Sequence, residues 1–291
     1  MSLQNRTVIE VQRLTHRYLT GTPLEVQSLH NVDFTLSENE TVGIVGHTGS
    51  GKSTLLYHLN GLIRPQEGDV RVYGDSLADR RVNVQSIRKR IGMLFQNPEQ
   101  QLFERFAGDD VAFGPRNFNF SREEVRECVR KAMEMVGLPF SFKDRLTADL
   151  SLGEKRRLAL AGVFALKPEI LVLDEPTASL DPEGRRRILE VLRNWRRKPG
   201  CSLVVVSHTM EDITELAERT YILSKGEIVY SGKTAELFAE REFLIGQGLA
   251  LTVPLQILHI LSEHGLPVGK GSLSTHDVAE EVGGILRGSA H

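Results

Sequence analysis

The sequence is poor in cysteine, carries almost no net charge and lacks a long apolar segment. Cys128 and Cys201 are the only cysteines, and because their positions fit neither a metal site nor a disulfide framework, we expect a reducing, cytosolic environment. The 36 basic and 38 acidic residues give a net charge of −2, which argues against a nucleic-acid partner. The longest apolar runs, such as residues 170–173, have the length of a strand, whereas a membrane helix needs about 18 apolar residues. Work at a membrane would therefore require a membrane-embedded partner.

Strand-like and helix-like apolar patterns cover most of the first half of the chain. Residues 41–45 form a short apolar strand pattern that runs into a glycine-rich loop, and a helical pattern follows over residues 53–59. Residues 67–95 are predicted to form further strands and turns. Ser121 is followed three residues later by Glu124, which is the spacing of a capping box and predicts the start of a helix that extends to residue 136.

Strands and helices alternate again in the second half. The patterns predict helices over 154–167 and 184–197, strands over 170–173 and 203–206, and a hairpin that turns at residues 224–226. This alternation predicts an α/β fold whose mostly parallel sheet is covered by helices on both faces. The tail differs, because it offers a leucine-rich helix over 254–263, a Gly/Pro/Ser linker and a second helix capped near Ser274 or Thr275.

The glycine-rich loop after residues 41–45 matches the complete pattern G-x-x-x-x-G-K-S. It comprises Gly46, His47, Thr48, Gly49, Ser50, Gly51, Lys52, Ser53 and Thr54. Glycine lets backbone N–H groups converge on a phosphate chain, and the N-terminus of the following helix favours anions. Lys52 would place a positive charge on the β- and γ-phosphates, and the Ser53 hydroxyl is a candidate ligand of Mg²⁺. The loop therefore predicts that the chain binds ATP and Mg²⁺.

A second anchor lies at the end of the apolar strand 170–173, where Asp174 and Glu175 follow each other. A buried strand that ends in two carboxylates is the Walker B arrangement of P-loop enzymes. Asp174 would hold Mg²⁺ directly or through water, and Glu175 would orient and polarise the attacking water. Alone, the pair could be an acidic strand end that faces solvent, but a phosphate loop upstream favours the catalytic interpretation.

Four further motifs occur in a fixed order around these two anchors. Gln96 follows a predicted strand, the segment 151–154 opens a helix, the segment 179–182 follows the acidic strand, and His208 ends a later strand. Taken singly, each has a structural explanation, such as a helix cap or a polar strand end. Together with the two anchors they resemble the full motif set of ABC-type ATPases, over about residues 8–232.

The resemblance implies an α/β ABC cassette over residues 1–232, with a helical subdomain over about 97–165 that carries the signature motif, and a helical dimerisation appendage over 233–291. It implies four catalytic residues, namely Glu175, His208, Gln96 and Lys52. It implies three metal ligands, namely Ser53, Gln96 and Asp174. Tyr18 would stack on the adenine of ATP. Ser151 and Gly153 would bind the γ-phosphate of the opposite subunit in a dimer, and Asp181 would be a further nucleotide-binding residue.

Two stretches, residues 96–103 and 110–115, resemble a narrower group within the ABC-type ATPases. They are similar to the ATPase subunits of energy-coupling factor (ECF) transporters for cobalt, nickel and vitamins, and residues 21–25 resemble one of the two paired ATPases of the heterodimeric versions. The family implies a second ATPase subunit, a transmembrane T component that docks near residues 96–103, and a substrate-binding S component. The chain would then lie peripherally on the cytoplasmic face of the membrane. A conventional ABC transporter ATPase and a soluble ABC ATPase outside transport remain the alternatives.

The signature motif departs from the family pattern. The usual Gly-Gly-Gln after the serine is Leu152-Gly153-Glu154 here. Leu152 adds bulk where close backbone approach is normal, and Glu154 adds negative charge near a phosphate, opposed by Lys155 and Arg156. We expect the composite site that uses this signature to be weak, so that a dimer would contain two unequal ATP sites.

Overall fold

The computed structural model describes residues 6–97, 100–266, 268 and 275–288, and two sheets form its frame. The first is a four-stranded antiparallel sheet with the order β2-β1-β4-β5. Its strands are β1 (Thr7–Tyr18), β2 (Val26–Ser37), β4 (Glu67–Val72) and β5 (Asp75–Ser76). Its apolar face packs on the neighbouring sheet through buried residues such as Phe34 and Leu36.

The second sheet has six strands in the order β10-β9-β3-β8-β7-β6. All neighbours pair in parallel except β9 and β10, which form the predicted antiparallel hairpin. The strands are β3 (Thr41–Val45), β6 (Ile91–Leu94), β7 (Ile170–Asp174), β8 (Ser202–Val206), β9 (Arg219–Ser224) and β10 (Glu227–Lys233). Four of them, β3, β6, β7 and β8, are buried along their whole length, as continuous apolar runs require when a parallel sheet is covered on both faces. The predicted α/β class with a mostly parallel sheet is confirmed.

Two short helices flank the phosphate-loop side of this sheet. Helix α1 (Lys52–Leu59) follows the glycine-rich loop, and α2 (Val84–Arg90) precedes β6. The prediction of only strands and turns over residues 67–95 was wrong at α2. The side chain of Asn83 caps this helix by accepting from the Gln85 N–H, but Ile87 is its one buried residue, so the sequence carries no helical apolar pattern.

A helical region lies between β6 and β7. It contains α3 (Ala107–Asn117), α4 (Arg122–Met135) and α5 (Leu152–Ala165), with 3-10 turns at Phe140–Asp144 and Thr147–Asp149. The capping box that predicted α4 is present, since Ser121 and Glu124 satisfy each other's backbone N–H groups. Helix α3 was not predicted, because Pro115 lies inside it and interrupts the helical signal. The domain limits 1–232, 97–165 and 233–291 stay predictions.

The remaining helices follow the last strands of the parallel sheet. These are α6 (Pro182–Arg196), α7 (Met210–Leu216), α8 (Thr234–Ala239), α9 (Arg241–Gly246), α10 (Val253–Glu263) and α11 (Thr275–Gly288). The predicted helices over 184–197 and 254–263 correspond to α6 and α10. Most of the predicted linker, and Ser274 as a cap, lie outside the described residues. In the part of the chain that the structure describes, no helix combines the length and apolar character needed to cross a bilayer.

Candidate nucleotide site

A cavity of about 570 Å³ opens at the carboxyl edge of the parallel sheet. Most of the predicted site residues line it, namely Gly46, His47, Thr48, Gly49, Gly51, Lys52, Ser53, Thr54, Gln96, Asp174, Glu175 and His208. They come from the ends of β3, β6, β7 and β8, which are neighbours in the sheet and therefore deliver their carboxyl ends to one edge. Tyr18, Ser50, Ser151, Gly153 and Asp181 do not line this cavity.

The glycines of the loop serve two different needs. A side chain at Gly51, whose φ is +106°, would meet the backbone oxygen of Ser28 at 2.5 Å, so the fold itself requires glycine there. Gly49 has a φ of +79° and nothing within 4 Å of the position where a Cβ would stand. Its open surroundings leave room for a ligand to approach the backbone. The loop ends at the N-terminus of α1, whose free N–H groups favour an anion.

Lys52 is folded back on the loop. Its Nζ donates hydrogen bonds to the carbonyl oxygens of Gly46 (2.6 Å) and His47 (2.7 Å). Burial lowers the pKa of this ammonium, while the negative charges of Asp174 and Glu175 oppose the shift. The loop is thus wrapped around a single cation, which holds its curvature and supplies positive charge to the cavity.

Ser53 and Asp174 place two hard oxygen donors side by side. The Ser53 hydroxyl donates to Asp174 Oδ2 at 2.9 Å, and Asp174 is 4% exposed. Burial raises the pKa of Asp174, and the hydrogen bond from Ser53 acts in the opposite direction. A hydroxyl and a carboxylate are the donors that Mg²⁺ prefers. Within the described ranges there is no group of three or more His, Cys, Asp or Glu side chains that could hold a metal ion.

Glu175 is held in a backbone conformation with φ +53°, which is uncommon for a residue with a side chain. Its N–H donates to the Val206 carbonyl at 2.9 Å. Its carboxylate accepts from the His208 N–H at 2.9 Å, and Oε1 lies 2.6 Å from His208 Nδ1. The His208 side chain is 69% exposed, whereas that of Glu175 is 5% exposed. The arrangement is a buried carboxylate next to an exposed imidazole, and both residues line the cavity.

Arg156 is a residue that sequence reasoning interpreted wrongly. We expected it to oppose the charge of Glu154, but it is 4% exposed and turns inward, toward the backbone of Gln96 and Glu175. Arg145 pairs with Glu154 instead, at 3.1 Å. The sequence could have indicated that Arg156 is buried, because the apolar residues Ala159, Leu160 and Val163 follow it at helical spacing. They place Arg156 on the buried face of α5.

Hydroxyl groups cluster where the loop enters α1. The Thr54 hydroxyl lies 2.8 Å from Ser28 Oγ and 3.1 Å from the Tyr18 hydroxyl. Ser28 lines the cavity and was missed from the sequence, because its contact to Thr54 is long-range. The Tyr18 ring is 38% exposed and meets His16 edge-on at 4.5 Å. Its role toward adenine stays a prediction.

The tail also reaches the cavity, which no sequence motif predicted. Gly248, Leu249 and Ala250 line it. The side chain of His47 is hydrogen-bonded to the backbone oxygen of Gln247, and a Cβ at Gly248 would lie 2.8 Å from His47 Cε1. Leu249 is buried in the main apolar core, which fixes the segment against the loop.

The signature residues lie at the start of α5. The Ser151 side chain and Glu154 form a capping box, so the hydroxyl already accepts from the Glu154 N–H at 3.3 Å. Leu152 is 45% exposed, and Ser151 is also exposed. Asp181 caps α6 by accepting from the Gly184 N–H at 2.8 Å. None of these residues lines this chain's own cavity, and their nucleotide-binding roles stay predictions.

Comparisons with known proteins give one consistent result. A family model described as "ABC transporter" matches residues 29–178. The ECF transporter ATP-binding protein EcfA2 of Clostridium perfringens is 42% identical over 96% of this chain and 98% of its own length. EcfA2 of Symbiobacterium thermophilum is 42% identical over 96% of this chain and 97% of its own length.

Solved structures of similar fold also come from ABC transporter proteins. The structure of cbiO1 from Clostridium perfringens, part of the ABC transporter complex cbiONQ, has a TM-score of 0.72 at 30% identity and covers 88% of this chain and 99% of its own. A dimeric ATP-binding cassette in a post-hydrolysis state with ADP and Pi has a TM-score of 0.72 at 29% identity, over 78% of this chain and 98% of its own.

Proposed function

The chain belongs to the ABC transporter family of ATPases, and from that premise we propose that it hydrolyses ATP to energise an ECF-type importer of a vitamin or a transition-metal ion. The observation that carries the proposal is the cavity in which the phosphate loop, Asp174 and Glu175 converge. Relatives named as ECF transporter ATP-binding proteins match nearly the whole chain, which favours this function over a conventional ABC transporter or a role outside transport.

The phosphate loop binds the nucleotide through backbone N–H groups and Lys52. The ammonium exchanges its hydrogen bonds with the carbonyl oxygens of Gly46 and His47 for contacts with the β- and γ-phosphates. Ser53, Asp174 and Gln96 would hold Mg²⁺, which neutralises charge on the phosphates when it is bound. The adjacent Ser53 and Asp174 oxygens support this assignment.

Glu175 orients a water molecule and accepts its proton as the water attacks the γ-phosphate. The carboxylate is suited to this role, because three polar contacts fix it: the His208 N–H, the His208 ring and the Ser207 hydroxyl. His208 can leave Glu175 for the γ-phosphate, since its side chain is largely exposed. The reaction yields ADP and phosphate.

A second ATPase subunit completes the site. Ser151, Leu152 and Gly153 lie outside this chain's cavity, and the hydroxyl and N–H groups there suit a phosphate bound by another subunit. ATP bound between two subunits favours the closed dimer, and hydrolysis removes that preference. Asp181, at the start of α6, would lie in the same interface.

A membrane partner docks near residues 96–103. Phe103 and Phe113 form an exposed aromatic pair, 62% and 41% exposed, with ring centres 4.5 Å apart. Asp110 joins the two ECF-like stretches, because its carboxylate accepts from the N–H groups of Phe103 (2.9 Å) and Glu104 (2.8 Å). Pro98 and Glu99 of the first stretch lie outside the described residues. An exposed aromatic pair on a fixed loop suits helices of a T component, and an S component would supply the substrate. The chain would then be a peripheral protein on the cytoplasmic face.

The test is co-purification of the tagged full-length chain with its genomic neighbours. We expect a second ATPase and a small polytopic membrane protein in the complex, and ATP-dependent uptake after reconstitution. Phe103→Glu should release the membrane protein, while the control Val229→Glu, at a residue that is 43% exposed on β10, should not. Capture of soluble partners alone would contradict the transport function.

A further inference from the structure

Arg156 connects the signature helix to the backbone of two residues of the nucleotide site. It lies on α5, five residues after Ser151. One guanidinium nitrogen donates to the carbonyl oxygen of Glu175, and Nη2 donates to the carbonyl oxygen of Gln96 at 2.6 Å. At 4% exposure the side chain is packed in place, and its hydrogen bond to Glu175 is shielded from water.

The two carbonyl groups belong to two residues of the proposed site, namely Glu175, which orients the attacking water, and Gln96, which would hold Mg²⁺. Glu175 has a left-handed backbone, which costs free energy and persists only where the surroundings hold it. Its N–H donates to the Val206 carbonyl, and its carboxylate accepts from the His208 N–H. Arg156 adds a third hydrogen bond, to the carbonyl oxygen of Glu175. Gln96 follows β6, is exposed, and lines the cavity. Its carbonyl is tied to the same guanidinium as that of Glu175.

We infer that Arg156 is a positioning residue for ATP hydrolysis, which sets the distance between Gln96 and Glu175 and ties both to the helix that begins with the signature. The inference rests on the proposed function. Arg156 lines no part of the cavity and is not itself a catalytic residue. Burial lowers the pKa of Arg156, and the negative charges of Glu175 and Asp174 act in the opposite direction.

A purely structural arginine would behave differently from a positioning one. Loss of a structural contact lowers stability and nucleotide affinity together. Loss of a positioning contact lowers the turnover number while nucleotide still binds, because a displacement of about 1 Å can cost on the order of 10²-fold in rate. The effect should also vanish when the positioned carboxylate is absent, since the two residues act as a unit.

The experiment uses the full-length chain in its assembled ATPase complex. Arg156→Met keeps an unbranched apolar stem and removes both hydrogen bonds. Arg156→Lys keeps the positive charge and at most one of the two hydrogen bonds of the guanidinium. The control is Arg219→Met. Arg219 is a partly buried arginine that donates to Glu40 and the Thr35 carbonyl, and it begins β9 at the opposite edge of the sheet. For each variant, kcat, KM and the Kd of a fluorescent ATP analogue are measured.

We expect Arg156→Met to lower kcat by about 10²-fold with nucleotide Kd changed less than about twofold, and Arg156→Lys to lie between it and the unaltered protein. Adding Arg156→Met to Glu175→Gln should change the residual rate by less than about twofold. Unchanged kcat in Arg156→Met would overturn the inference. A parallel loss of kcat and affinity in both Arg156 variants would also overturn it, in favour of a structural role. If Arg156→Met does not fold, the kcat and nucleotide Kd of Arg156→Lys distinguish a positioning role from a structural one. Normal turnover in Glu175→Gln alone would instead reject the proposed catalytic mechanism.

Discussion

His58 makes the stability of the phosphate-loop helix dependent on pH. It lies on α1, is fully buried, and its ring centre is 4.9 Å from that of the buried His16. Burial is the main cause that lowers the pKa of His58, to about 4 from 6.5, and the neighbouring His16 acts in the same direction. The backbone of Ile63 acts in the opposite direction.

The sign of the effect follows from proton binding. The unfolded chain takes up a proton at His58 as the pH falls through 6.5, whereas the folded chain does so only near pH 4. Between these values the unfolded state binds more protons, so the stability present above pH 6.5 is lost as the pH falls toward 4. At about 1.4 kcal/mol per pKa unit, His58 contributes about 3 kcal/mol over the whole window and about 2 kcal/mol between pH 6.5 and pH 5.

His58→Leu removes the titrating group and keeps an apolar side chain. The assay is urea unfolding at pH 7.5 and pH 5.0, for the unaltered protein, His58→Leu and the control His30→Gln, in which the replaced histidine is exposed. We expect the unfolding free energy of the unaltered protein to fall by about 2 kcal/mol more than that of His58→Leu between the two pH values. His30→Gln should behave as the unaltered protein does. Identical pH dependence in all three proteins would refute the reasoning.

Three further predictions concern the nucleotide site. Lys52→Ala should weaken MgATP binding by at least about tenfold in a titration with a fluorescent analogue, because the loop loses its cation. Unchanged affinity would contradict the assignment of Lys52 as a phosphate-binding residue. Leu152→Gly should raise ATP turnover of the assembled complex, since in the proposed dimer the exposed Leu152 side chain would obstruct close approach to a partner's phosphate; no change in rate or affinity would count against a weakened signature. Gly248→Ala should weaken nucleotide binding several-fold, because its φ is +64° and the new Cβ would stand 2.8 Å from His47 Cε1. In calorimetry, equal affinity for Gly248→Ala and the control Gly246→Ala, at a glycine with open surroundings, would show that the tail does not constrain the loop.

Local patterns predicted the parts of this fold that depend on local forces. The phosphate loop, the strand that ends at Asp174, and helix α4 with its capping box all follow from short segments of sequence. Helix α2 was missed because Ile87 is its one buried residue, and α3 because Pro115 lies within it. Helix α2 has a side-chain cap but no apolar stripe, whereas α3 has buried residues at helical spacing, such as Ala107 and Val111, but no side-chain cap.

Long-range contacts were harder to predict than motifs. The inward turn of Arg156 depends on where β6 and β7 end in space, although its position on the buried face of α5 gave a hint. The contact between His47 and residues 247–250 joins segments about 200 positions apart, and no local pattern encodes it. The residue types at the cavity were predictable, but not which neighbours hold them.

The central claim is that Glu175 drives hydrolysis of ATP bound by the loop at Gly46–Thr54. The most direct measurement compares Glu175→Gln with the control Glu190→Gln, an exposed glutamate on α6, in the assembled complex. The account predicts that Glu175→Gln binds MgATP with nearly normal affinity while phosphate release falls by at least about 10²-fold, because the amide cannot accept the proton of the water. Glu190→Gln should bind and hydrolyse normally. Near-normal phosphate release by Glu175→Gln would contradict the account.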